Sequence, residues 1–162
     1  MSVDPKTSLR IVQEEIKECE GEARCCGWVF SAIDEPTQTF TVTMTSPLDG
    51  QIYILEVKFD NYKLWPLYLE FIDPHNHQKG INSAYPKNAG ANASFFHDKP
   101  CICHPCSRKA YSNYGGPHGD WGEIAGWLKH PQLGGLTKIP GILRAIYGRI
   151  SREDIYTGRM NG

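Results

Sequence analysis

Apolar residues recur at helical spacing early in the chain, switch to a two-residue alternation, and return to helical spacing near the end. Leu9, Val12, Ile16 and Cys19 fall on one face of a helix predicted over Ser8 to Glu22. Glu14, Glu15, Lys17, Glu18 and Glu20 occupy its other faces, and Gly21 is the expected terminator. Strand signals follow. Trp28 to Ile33 is short and apolar, and Phe40-Thr41-Val42-Thr43-Met44 alternates and is rich in β-branched residues. Pro47 to Gly50, ending in an Asp-Gly pair, reads as a turn. Ile52 to Phe59 is the strongest strand pattern, and Tyr68 to Ile72, after Trp65-Pro66, is the fourth. The spacers are too short for the crossovers that parallel pairing requires, so the four strands are expected to form an antiparallel meander.

From Asp73 to Pro100 no period survives, and Gly, Pro, Asn, Ala and His dominate. A loop of this length inside a compact domain points to function or partial disorder. Beyond it, Asp120 is placed to cap a helix from Trp121 to Leu128, and Pro140 opens a helix carrying Ile142, Leu143, Ile146 and Ile150. Helix, strands, then helices is an α+β order. Neither a repeat nor a linker divides the chain, so residues 1–162 are expected to form a single domain.

Charge and composition remove several functions. With 17 basic against 18 acidic residues, the sequence offers no electrostatic basis for binding nucleic acid. No apolar run approaches the roughly 18 residues that a membrane-spanning helix needs. Met1-Ser2-Val3-Asp4-Pro5 lacks the basic-then-apolar order of a signal peptide, so a cytoplasmic location with reduced thiols is expected.

That expectation focuses attention on the six cysteines. Cys25-Cys26, beside a predicted strand, reads as structural. Cys101, Cys103 and Cys106 form a tight group next to prolines and polar residues, where simple core packing is a poor explanation. In an extended segment the sulfurs of Cys101 and Cys103 face the same side. His97, Lys99, His104, Arg108 and Lys109 supply neighbouring cations or proton acceptors that favour a thiolate. Cys101, which follows Pro100 and stands nearer to His97 in sequence, is the expected nucleophile. Cys103 is then its partner, able to accept an acyl group or to form a strained, reversible bond with it. A competing reading joins the Cys-x-Cys-x-x-Cys run to His97, His104 or His118 as a zinc site. His118 and Asp120 either line the site from a later loop or serve in a turn and a cap. Trp121 and Trp127 read as core or interface aromatics, His75 and His77 as exposed, and Tyr111 and Tyr114 as borders of a groove.

The order of motifs resembles that of ubiquitin-conjugating enzymes. Ser46-Pro47-Leu48-Asp49-Gly50 followed by Tyr53 to Phe59 is similar to that family's turn and third strand. Tyr62 to Pro66 followed by Tyr68-Leu69-Glu70-Phe71 is similar to its proline-bearing link and fourth strand. Ile102-Cys103 falls where the family has its isoleucine-cysteine pair, and Trp121 and the helix from Ile139 to Ile150 stand where a tryptophan and a helix are expected. The likeness spans roughly Leu9 to Ile150. The family's His-Pro-Asn triplet is absent: Phe96-His97-Asp98 occupies its place, and His75-Asn76 lies far upstream. The role of its asparagine, steadying the oxyanion or the loop, is therefore unassigned.

The cysteine-rich run from Pro100 to Tyr111 resembles the bacterial single-domain relatives encoded in antiphage operons with a cGAS-like nucleotidyltransferase (CBASS). The resemblance implies a UBC-like fold and a transferase that carries a protein C-terminal tail, in this case the nucleotidyltransferase's, as a thioester on Cys101 or Cys103. His97 is then an accessory group and a lysine the acceptor, with neither cofactor nor metal needed for that chemistry. Two other classes stay open: a catalytically inert binding module of the same fold, and a zinc-stabilised interaction protein.

Overall fold

The computed structural model describes residues 1–96 and 100–161. Helix α1 runs from Pro5 to Glu18, with Asp4 accepting a hydrogen bond from the Lys6 amide as its cap. The chain breaks at Cys19 and continues as α2, Glu20–Cys26. The single helix expected over Ser8 to Glu22 is thus two. Gly21 lies inside α2, and Gly27, in the left-handed conformation at φ 73°, ends it.

Four strands form one antiparallel sheet in the order β1-β2-β3-β4: Val29–Phe30, Thr39–Thr45, Ile52–Lys58 and Tyr68–Ile72. Thr43 pairs with Ile54, and Leu55 with Phe71, so the alternation places Phe40, Val42, Met44, Tyr53, Leu55 and Val57 on the covered face. The expected first strand shrinks to two residues. Helix α3, Ile139–Ser151, has Pro140 in its first turn and buries Ile142, Leu143, Ile146 and Ile150. An α+β protein with an N-terminal helix, a four-stranded antiparallel sheet and a C-terminal helix is the result. Among the described residues, no helix is long and apolar enough to cross a membrane.

Two parts depart from the pattern. The stretch after Asp73 contains strand β5, Pro86–Asn88, which pairs antiparallel with β6, Tyr156–Arg159. A pairing between segments so far apart leaves no local trace in sequence. The helix expected from Trp121 to Leu128 is instead two short 3-10 turns, Gly119–Trp121 and Ile124–Lys129. Gly122 at φ 74° separates them, and Asp120 caps neither.

Two buried charges join these parts. Glu15, placed by periodicity on a polar face, is only 4% exposed. Its carboxylate accepts hydrogen bonds from the Tyr62 hydroxyl (2.6 Å) and the Ile139 amide (2.8 Å), and it pairs with Lys63 (2.9 Å). A carboxylate at the N-terminus of α3 answers free amide donors and the positive end of the helix dipole. The same carboxylate, with burial as the larger cause, holds the Tyr62 hydroxyl well above its usual range.

Arg108, 3% exposed, donates to the Pro66 carbonyl, to the Asp60 carboxylate and to the Asp60 carbonyl. Its backbone amide bonds the Leu67 carbonyl. The cysteine segment is thereby fastened to the link between β3 and β4. Removing the guanidinium strands a carboxylate and two carbonyls, so Arg108→Ala should lower unfolding free energy by about 3–5 kcal/mol in urea titration. A loss within error would show the clamp to be incidental.

Candidate active site

The cysteine segment is held in place by backbone pairing on both sides. Phe96 pairs with Ile102, the Cys103 amide donates to the Phe95 carbonyl at 2.7 Å, and Leu67 pairs with Ser107. Ile102 is fully buried in the core, and its neighbours turn the other way, as an extended segment requires. The three sulfurs then meet different environments. Cys106 is buried, Cys101 is 3% exposed, and Cys103 is half-buried. Burial pushes the Cys101 thiol up to about 11 and those of Cys103 and Cys106 up to about 12. Lys109 draws Cys101 down slightly, whereas Cys101 pushes Cys103 further up.

Cys103 has a partner. Its Sγ lies 2.7 Å from Nε2 of His118. The His118 Nδ1 lies 3.7 Å from an Asp120 carboxylate oxygen, longer than a hydrogen bond. In the tautomer with its proton on Nδ1, Nε2 accepts the Cys103 S–H. Trp121 stacks on the imidazole, with ring centroids 3.7 Å apart and planes 3° from parallel. Tyr111 and His130 meet the indole edge-on at 5.3 and 5.0 Å. The ring facing the sulfur is therefore fixed in plane by aromatic packing, and the indole face favours a positive imidazolium.

A close backbone approach brings His118 to the sulfur. Its amide bonds the Ala110 carbonyl, and Tyr111 pairs with His118. At Gly116 a Cβ would lie 2.1 Å from the Ala110 carbonyl carbon, so only glycine fits between these two stretches. The absent side chain at Gly116 is the one local feature of the sequence that this crossing requires.

The other candidates are distributed differently. His97 and Lys99 lie outside the described residues. His104 accepts from the Cys106 amide through Nδ1, and burial, aided by Arg149 and His130, pushes it down to about 4. It is thus a neutral structural imidazole at physiological pH. Arg108 is consumed by its clamp, and Lys109 pairs with Glu70 at 3.2 Å. Tyr111 is buried and donates to the Pro105 carbonyl, so it supports the segment from behind instead of bordering a groove. Tyr114, half-buried, packs edge-on against Tyr68. Trp127 is core, donating to the Lys63 carbonyl, and His75 and His77 are exposed. Cys25 is exposed at the end of α2. Among the described residues, no three His, Cys, Asp or Glu side chains gather to hold a metal ion. The sequence matches no protein-family model and no curated protein.

Chemically, the arrangement supplies a nucleophile, a base in contact with it and a carboxylate behind the base. The Cys103 thiol is protonated at neutral pH, so its reactivity depends on proton transfer to His118 during attack. His118→Gln should slow alkylation of Cys103 by iodoacetamide at neutral pH by at least about ten-fold, read by peptide mass spectrometry. The variant's rate should then climb steadily with pH as thiolate forms. An unchanged neutral rate would remove His118 from the site. Gly116→Ala, which displaces the loop without touching either side chain, should reproduce the slowing.

His104 gives a separate signature. Its folded value is depressed, so its contribution to stability is complete above 6.5 and lost as pH falls through about 4. The melting temperature of the protein should drop over this interval more steeply than that of His104→Asn, whose amide oxygen replaces Nδ1. Parallel curves would mean that His104 is not held neutral.

Proposed function

We propose that the protein is a ubiquitin-conjugating-like acyl carrier, in which Cys103 takes a protein C-terminal carboxyl as a thioester and passes it to a lysine amine. The single observation that carries this reading is the 2.7 Å contact between the Cys103 sulfur and His118. The order of helix, four-stranded antiparallel sheet, cysteine segment and C-terminal helix supports the UBC-like comparison. The identity of the donor, a cGAS-like nucleotidyltransferase in antiphage defence, rests on the sequence resemblance of the Pro100 to Tyr111 run.

As the donor carbonyl approaches, the Cys103 S–H proton moves to Nε2 of His118 and the sulfur attacks the carbonyl carbon. The imidazolium is stabilised by the Asp120 carboxylate and the Trp121 face. Collapse of the tetrahedral intermediate expels the leaving group. A leaving thiol departs readily from an activated donor, whereas a leaving amine needs the proton that His118 now carries. The site is therefore equipped to take its acyl group directly from a peptide bond, without prior activation. In the second half, a lysine amine attacks the thioester and gives up a proton to His118, and Cys103 leaves as a thiolate that takes this proton from the imidazolium. The Cys103 and His104 amides are committed to the Phe95 and Ile102 carbonyls, so the oxyanion must be stabilised by other donors.

Burial of Cys101 and the His118 contact support Cys103 over Cys101 as the nucleophile. Intact mass after incubation with the candidate nucleotidyltransferase should show an adduct cleaved by hydroxylamine, retained by Cys101→Ala and lost in Cys103→Ala. The reverse pattern would move the nucleophile to Cys101. Partner binding without an adduct in any form would make the domain an inert binding module.

A further inference from the structure

The stretch that brings His118 to Cys103 has little local structure to hold its side chains. Trp121, on which the imidazole stacks, closes the short turn Gly119–Trp121, which lies between His118 and Gly122 and has no side-chain cap. Glycine at 119 and 122 leaves the backbone on both sides of the indole free of Cβ restraint. The indole is therefore placed by the rings that meet it. Tyr111 supplies one edge contact and belongs to the cysteine segment, where its hydroxyl donates to the Pro105 carbonyl at 2.8 Å. His130 supplies the other from a separate stretch of chain, with centroids 5.0 Å apart and planes at 70°.

His130 is itself fixed from several sides. Its amide donates to the Trp127 carbonyl and its carbonyl accepts from the Leu133 amide, both at 3.1 Å. Its Nδ1 accepts from the Gln132 amide at 3.1 Å, which sets the orientation of the ring. Trp127 and Leu133 are buried. Trp127 also donates to the Lys63 carbonyl at 3.0 Å and stacks on Tyr62 with centroids 6.4 Å apart. Through these bonds the core holds His130, and His130 holds one edge of the indole. An open pocket of about 360 Å³ borders Trp121, Gly126, His130 and Gln132, so an indole deprived of that edge has space to move into.

We propose that His130 is a positioning residue for the base, acting through Trp121 to keep the His118 imidazole 2.7 Å from the Cys103 sulfur. This rests on His118 serving as the base for Cys103. His130 exchanges no proton with the thiol, and its contribution is geometric. Two edge contacts define the plane of the indole where one would leave a pivot, and the stacked imidazole shares that plane. Proton transfer from sulfur to Nε2 needs both atoms at hydrogen-bond distance, so a swing of the indole is felt at Cys103.

The test is a double-mutant cycle on the full chain, read as the rate of Cys103 alkylation by iodoacetamide from neutral to alkaline pH. His130→Ala should slow the neutral rate by about five-fold, as expected for a misplaced base. Its deficit should close as pH rises and thiolate forms without the base. His130→Phe, which restores a ring edge, should return the rate to within about two-fold of the original. Trp121→Ala should also slow alkylation, and adding His130→Ala to it should have no further effect. Additive slowing, or a His130→Phe variant as slow as His130→Ala, overturns the proposal. So does faster alkylation of His130→Ala at every pH, the result of loosening the fold around a half-buried thiol. If His118→Gln slows the reaction and His130→Ala does not, the positioning role falls and the base stands. If neither slows it, the base falls as well.

Discussion

The buried guanidinium of Arg108 is the interaction on which the irregular half of the molecule depends. It sits two residues beyond Cys106, and its donors are distributed over Asp60 and Pro66, in the link between β3 and β4. A charge taken out of water is tolerated only when its donors find oxygen partners, and this geometry supplies them from a segment fixed by the sheet. Flanking ring contacts with Trp65 and Tyr114, at 5.3 and 5.9 Å, complete its surroundings. Among the described residues on either side, no α-helix or multi-residue sheet ladder holds the chain. Arg108 and the neighbouring backbone bonds therefore replace regular structure as the means of positioning the cysteines.

Downstream of that anchor, two consequences decide the chemistry. Ile102 points into the core, which fixes the side to which Cys101 and Cys103 turn, and the packing above them leaves Cys103 alone half-exposed. The Ala110–Tyr111 backbone then receives the Gly116–His118 loop so closely that the imidazole reaches the sulfur. Stacking on Trp121 limits the ring's rotation, and an Asp120 carboxylate oxygen lies 3.7 Å from Nδ1. A nucleophile and its base are thus joined by contacts made almost entirely by backbone and aromatic surfaces.

The adjacent imidazole makes a thiol pushed up to about 12 compatible with the proposed chemistry. A standing thiolate in an apolar site would be costly, and it would react indiscriminately with oxidants and electrophiles. A protonated thiol with an adjacent base is activated only when a carbonyl arrives to take the electron pair. In the proposed acyl exchange, the base that removes the proton is also the group that can return it to a leaving amine, so one side chain serves both halves.

Three of the four strands and helix α3 were legible in the sequence. Period-two alternation in Phe40 to Met44 and Ile52 to Phe59, short spacers, and Pro140 ahead of Ile142 and Leu143 report on local burial, and local burial is what periodicity encodes. It also located the cysteine group and put His118 and Asp120 among the candidates. Tertiary structure decided the rest, because those outcomes depend on contacts between residues distant in the chain. Glu15 is buried only because Tyr62, Lys63 and the Ile139 amide converge on it from distant segments. The β5–β6 pair exists only through a partner about 70 residues away. The choice between Cys101 and Cys103, two residues apart with the same side chain, depends on which sulfur the His118 loop reaches, and no one-dimensional pattern carries that distance.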